Sequence, residues 1–84
     1  MQAIRVRLWT KPDCSLCRDA EAALRRIARD VPLEVVVLGA QADGPASDRL
    51  PVLEIDGCEV GAGRISEFRV RNWLRERGYH DASR

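Results

Sequence analysis

Residues 10–18 read TKPDCSLCR, and they follow a run over residues 3–9 in which Ile4, Val6 and Leu8 alternate with Arg5 and Arg7. Apolar–polar alternation at period two is strand patterning. Pro12 punctuates a turn, and a helix is expected to start between Asp13 and Ser15. Cys14 and Cys17 therefore stand at a strand-to-helix turn, three residues apart. That spacing admits a redox pair, half of a metal site, or two inert core residues.

The rest of the chain decides what surrounds the pair. After the turn, Ala20, Ala23, Leu24, Ile27 and Ala28 recur at the i, i+3, i+4, i+7, i+8 spacing of one buried helix face. Arg18, Asp19, Glu21, Arg25, Arg26 and Arg29 take the remaining face. Pro32 pushes Val31 out of the α region and ends the helix. Leu33–Leu38 (LEVVVL) is a β-branched run and reads as a second strand. Residues 39–49, GAQADGPASDR, are dense in turn formers and read as a loop with at most one weak helical turn. A third strand is expected over 51–56, a tight turn at Asp56-Gly57, and a short fourth strand over 58–60. Ser66 is expected to cap a last helix, with Ile65 and Val70 as its hydrophobic staple. Val70, Trp73 and Leu74 form its buried stripe, Gly78 its C-terminal cap, and 79–84 a frayed tail. The expected order is β-α-β, loop, β-β-α: an α/β fold with a four-stranded mixed sheet and a short or absent middle helix. It makes one domain over 1–84, with an ordered core over about 3–77.

Composition excludes several classes. The 84 residues carry 14 basic and 13 acidic side chains, a formal net charge of +1, which leaves no basic excess for nucleic acid. No apolar run approaches the roughly 18 residues of a membrane span. The alternating N-terminus is unlike the continuous apolar core of a signal peptide. A cytoplasmic address follows as the expectation, and reducing conditions there favour a catalytic or metal-binding use of C-x-x-C over a structural disulfide. Cys58 is the odd cysteine. In this arrangement it lies a strand away from the pair, too far to complete a zinc site with Cys14, Cys17 and His80, since Zn–S bonds span ~2.3 Å. No metal site is expected.

A thiol attacks as thiolate, and an ordinary cysteine with a pKa of about 8.5 is mostly protonated at neutral pH. A helix N-terminus favours the thiolate through its unpaired N–H groups and partial positive charge. Cys14 sits at such a terminus and Cys17 lies one turn further on the same face. Cys14 is read as the exposed nucleophile and Cys17 as the more buried resolving thiol. Lys11 and Arg18 favour the thiolate, whereas Asp13 opposes it.

TKPDCSLC before a helix, with LPVLEIDG about 35 residues later, resembles the glutaredoxin-like proteins of the thioredoxin superfamily. It is especially similar to the small bacterial ones that lack a full second helix. The resemblance spans roughly residues 3–77. It implies a disulfide between Cys14 and Cys17 and a cis-proline beside the site at Pro51, preceded by Leu50. It places Lys11 where the family lysine meets a glutathione carboxylate, Gly61 in the glycine turn after the fourth strand, and Trp9 where relatives carry Tyr or Phe beside the disulfide. In the acidic region that would meet the glutathione amine stand Arg64 and Ile65, with Glu67 the nearest carboxylate. The resemblance also implies that both helices cover the sheet face carrying Ile4, Val6 and Leu8. Arg5, Arg7, Glu34 and Glu54 then fall on the other face, thinly covered.

The expected function is thiol–disulfide exchange through Cys14 and Cys17 via a mixed disulfide. Catalytic residues are Cys14 and Cys17; the substrate surface is Trp9, Lys11, Leu50, Pro51 and Gly61. No tightly bound cofactor is expected. Glutathione is a candidate reductant, a disulfide-containing protein or small thiol the partner, and the chain a monomer. The alternative is a binding module on the same fold: a metal or iron–sulfur carrier, or a protein-interaction adaptor.

Overall fold

Strand β1 (Ile4–Trp9) is the element about which the others are arranged. The computed structural model describes residues 3–39 and 44–79. Parts of the expected loop (40–43) and tail (80–84, including His80) lie outside the described residues. The elements run β1, α1 (Ser15–Ala28), β2 (Leu33–Leu38), a 3-10 turn at Ser47–Arg49, β3 (Val52–Ile55), β4 (Cys58–Ala62) and α2 (Glu67–Glu76). The sheet order is β2-β1-β3-β4. β1 and β2 are parallel, while β1–β3 and β3–β4 are antiparallel.

Alternation along β1 sets the layers. Ile4, Val6 and Leu8 are buried beneath α1 and α2, in one cluster with Ala20, Leu24, Ile27, Leu53, Ile55, Val70 and Leu74. Val6 pairs with Ile55 and Leu8 with Leu53, so β3 presents the same face. Each such fully buried aliphatic side chain contributes about 1.5–3 kcal/mol. Ala28, expected on the buried stripe, is exposed. It occupies the last position of α1, beyond the end of the sheet-covering turns.

The opposite face is open, as its charges dictate. Arg5 and Arg7 are exposed, and Arg7 lies 3.8 Å from Glu54 across the strand pair. No described helix packs over them. The end nearest the cysteines is apolar, where Trp9, Leu50 and Val52 cluster with Leu38. β2 forms the sheet edge, and its three valines are at least a third exposed. Its β-branched run forms the strand, and the described helices leave these valines partly uncovered.

Two differences from the expected boundaries have local causes. β4 runs to Ala62 rather than to Val60, because a bulge between Leu53 and Glu54 restores pairing at Leu53–Gly61 and Val52–Ala62. The Asp56-Gly57 turn has positive φ at both residues, 50° and 83°, the twist a two-residue hairpin favours. The chain also stays anchored past 77. Gly78, at φ 88°, lets its N–H reach the Arg75 carbonyl and the Tyr79 N–H reach the Leu74 carbonyl, closing a Schellman motif. Tyr79, expected in the frayed tail, packs against the core and donates its hydroxyl to Asp56 at 3.3 Å. Among the described residues no helix is long and apolar enough to cross a membrane.

Candidate active site

Cys14 is the N-cap of α1. Its backbone is extended, at φ −123° and ψ 105°, and its Sγ accepts the N–H of Cys17 at 3.1 Å. Asp13 supplies the tight bend that makes this possible, in the left-handed region at φ 55°. Asp tolerates that region better than most residues. The Sγ atoms of Cys14 and Cys17 lie at disulfide distance, with Cα atoms 5.2 Å apart. Cys14 is 9% exposed and Cys17 2%, so both are largely buried and Cys14 is the more accessible. The first turn of α1 carries no acidic residue that would oppose a thiolate at its cap.

The start of β3 lies at the same end of the sheet, since Val52 pairs with Trp9. The Leu50–Pro51 peptide is cis, and the Pro51 carbonyl accepts the N–H of Gly63 at 2.8 Å. Gly61, two residues earlier, pairs with Leu53 inside β4, and Gly63 takes the turn at φ 73°. Trp9, expected on the substrate surface, is buried between Leu38, Leu50 and Val52. Its ring supports the apolar end of the open face, and its indole N–H is buried without a hydrogen-bond partner.

Lys11 is placed beside the site but is already engaged: Nζ donates to the Ser47 carbonyl at 3.1 Å. The same 3-10 turn is held at its other end by Arg49, which bonds Glu59 at 2.6 Å. Ser47, Arg49 and Glu59 therefore position the segment entering Leu50 and Pro51. Sequence reading missed all three, because their contacts, 10 and 36 residues apart in the chain, leave no periodic signal. Cys58 opens β4, is exposed, and pairs with Ile55 across the hairpin. No group of three His, Cys, Asp or Glu among the described residues is arranged to hold a metal.

Glu67, the nearest carboxylate to the acidic region, is turned elsewhere. It bonds Arg26 at 2.6 Å and Arg71 at 3.0 Å, and Arg71 also bonds Asp30 at 3.0 Å. This network ties α1 to α2. The hydrogen bond from Arg26 is the main reason the Glu67 carboxyl sits below its usual range; burial opposes it and Arg71 adds to it. A carboxylate with a depressed folded pKa stabilises fully above its unfolded value, about 4.3. That contribution is lost as pH falls through the lower folded value. Glu67→Gln should thus cost on the order of 1 kcal/mol at pH 7. Denaturant titrations of the two proteins should converge as pH drops below about 4.3. A gap that stays constant with pH would mean the loss is one of packing rather than charge.

A family model for the glutaredoxin-like domain (DUF836) matches residues 5–75. The chain belongs to that family. None of the curated proteins or solved structures compared with it matches significantly. The match takes in the cysteine pair, the Leu50–Pro51 peptide, the glycine turn and most of α2. The thioredoxin-like arrangement of this glutaredoxin-like domain is the four-stranded mixed sheet with two helices described above.

Proposed function

We propose that this glutaredoxin-like domain is a thiol–disulfide oxidoreductase. The observation that carries the reading is the placement of Cys14 Sγ at the N-cap of α1, accepting the Cys17 N–H and within disulfide reach of Cys17 Sγ. An N–H aimed at sulfur stabilises a thiolate more than a thiol. In the reaction, the Cys14 thiolate attacks one sulfur of a substrate disulfide. The other substrate sulfur leaves as thiolate and takes a proton from water. Cys17, as thiolate, then attacks Cys14 Sγ, releasing the second substrate thiol and forming the Cys14–Cys17 disulfide. Two electrons have passed to the substrate. A dithiol reductase or two molecules of a small thiol such as glutathione return them by the reverse exchanges. We assign the substrate surface to Lys11, Gly61 and the backbone of the Leu50–Pro51 segment, whose own side chains are buried, with Trp9 supporting it from beneath. The reducing cytoplasm is the compartment in which such a cycle runs in the direction of substrate reduction.

The test is a redox titration of Cys14 and Cys17 across a glutathione buffer series, with each thiol followed by mass spectrometry. A reversible two-electron couple between the two is expected. If both thiols stay inert at every poise, or are purified holding stoichiometric metal, the catalytic reading fails and a carrier or adaptor takes its place.

A further inference from the structure

Three features near α2 take no part in the chemistry above. Phe68, in the first turn of α2, is 72% exposed, the most exposed large apolar side chain among the described residues. Arg64 and Arg69 are exposed and form no ion pair with a described residue, whereas Arg7, Arg25, Arg26, Arg49 and Arg71 do. Between β4 and α2 lies an open groove of about 360 Å³ with Val60, Ile65 and Trp73 in its wall, and both arginines line it. Arg77 stacks 3.8 Å over the Trp73 ring and adds a third guanidinium beside the groove. Its one acidic residue is Glu76, at the far end of α2.

We propose that this groove docks an acidic, apolar segment of a disulfide-bearing protein partner. The proposal rests on the oxidoreductase reading and names the substrate class for it. Charge complementarity selects the occupant. The apolar wall takes aliphatic or aromatic side chains, Phe68 stands outside the lining next to Arg69 as a further exposed apolar contact, and the guanidinium groups take flanking carboxylates, to which arginine bonds in bidentate fashion. A free amine, such as that of glutathione, meets cations here instead of a carboxylate, because Glu67 is committed to Arg26 and Arg71. The groove reaches the glycine turn that is bonded to the Leu50–Pro51 segment, since Gly61 lines it. The turn between β4 and α2 is bonded through Gly63 to Pro51, whose neighbour Val52 pairs with the residue ending β1. With a formal net charge of only +1, the chain has little long-range field, so selectivity is local. It should act within about one Debye length, roughly 8 Å at physiological salt.

The experiment has a binding arm and a turnover arm. Fluorescence anisotropy is measured with two labelled, cysteine-free peptides of equal length, one alternating Asp with Leu and the other Lys with Leu. The wild type should prefer the acidic peptide, with affinity falling as salt rises. Arg64→Glu/Arg69→Glu should weaken that binding by about tenfold or more and favour the basic peptide. Phe68→Ser should weaken acidic-peptide binding at every salt concentration, the signature of lost apolar contact. Equal binding of both peptides by the wild type, or an acidic preference that survives the double charge reversal, overturns the proposal. In the turnover arm, the single-turnover reduction of bis(2-hydroxyethyl) disulfide by the pre-reduced protein, with no other thiol present, should be unchanged by these substitutions. Acidic-peptide binding without turnover of any disulfide would leave the groove standing and remove the oxidoreductase reading. Turnover of the small disulfide without peptide preference would do the reverse.

Discussion

Cys14→Ser is expected to abolish disulfide reduction, lowering turnover by at least about a thousandfold, the scale on which loss of a nucleophile registers. Serine retains the size and even the capping role, since its hydroxyl can accept the Cys17 N–H that Cys14 Sγ accepts at 3.1 Å. What it lacks is an anion at neutral pH. The fold should survive, and thermal unfolding under reducing conditions should match that of the reduced wild type. Cys17→Ser gives a different result because the two sulfurs act in sequence. The first attack still occurs, and the mixed disulfide on Cys14 then has no resolving thiol. Mass spectrometry should find one substrate moiety per chain, on Cys14, in this variant. Attachment on Cys17 in Cys14→Ser at a comparable rate would reverse the two roles. The 9% exposure of Cys14 against 2% for Cys17 argues for the order given.

The largest loss of stability is expected from the centre of the sheet. Leu53 is fully buried in β3, opposite Leu8 and beneath both helices. Leu53→Ala removes that volume from a core that has no second layer to collapse inward. The cost should fall at about 2–5 kcal/mol, the range for large-to-small core substitutions. For a domain of this size, total stability is on the order of 5–10 kcal/mol, so such a change takes up a large share of it. Urea denaturation should show a lower midpoint at an unchanged slope. By contrast, Val36→Ala on β2 should cost under about 1 kcal/mol, because Val36 is already 44% exposed at the sheet edge. Equal losses at the two positions would show that the edge strand is covered by something in solution.

Much of this was legible from residue order alone, and the reasons are local. Alternation in β1 assigned Ile4, Val6 and Leu8 to one face and Arg5 and Arg7 to the other. Ser66 as N-cap, Ile65 and Val70 around it, and Gly78 beyond the end marked α2 to the residue, because caps act within one turn. The cysteine pair declared itself through its spacing and its position between a strand pattern and a helix pattern. These are signals carried by neighbours a few residues apart.

What only the tertiary structure decided involves residues far apart in the chain. Lys11 is tied to Ser47 and Arg49 to Glu59; Glu67 is drawn to Arg26, 41 positions away. Nothing in the spacing of a lone lysine or a surface glutamate says which of many long, flexible side chains it will meet. The sequence pattern likewise could not place the bulge that carries β4 on to Ala62, since Gly61 ends the apparent strand. It also could not tell that Trp9 would be covered while Phe68 would not. Burial of a given aromatic depends on which elements happen to lie over it. The sequence thus determined the elements, the two faces of the sheet and the reactive pair, whose causes are local stereochemistry and periodicity. The tertiary structure decided which charges are spent on holding the fold and which remain free to meet a partner, because that depends on distances no local rule encodes.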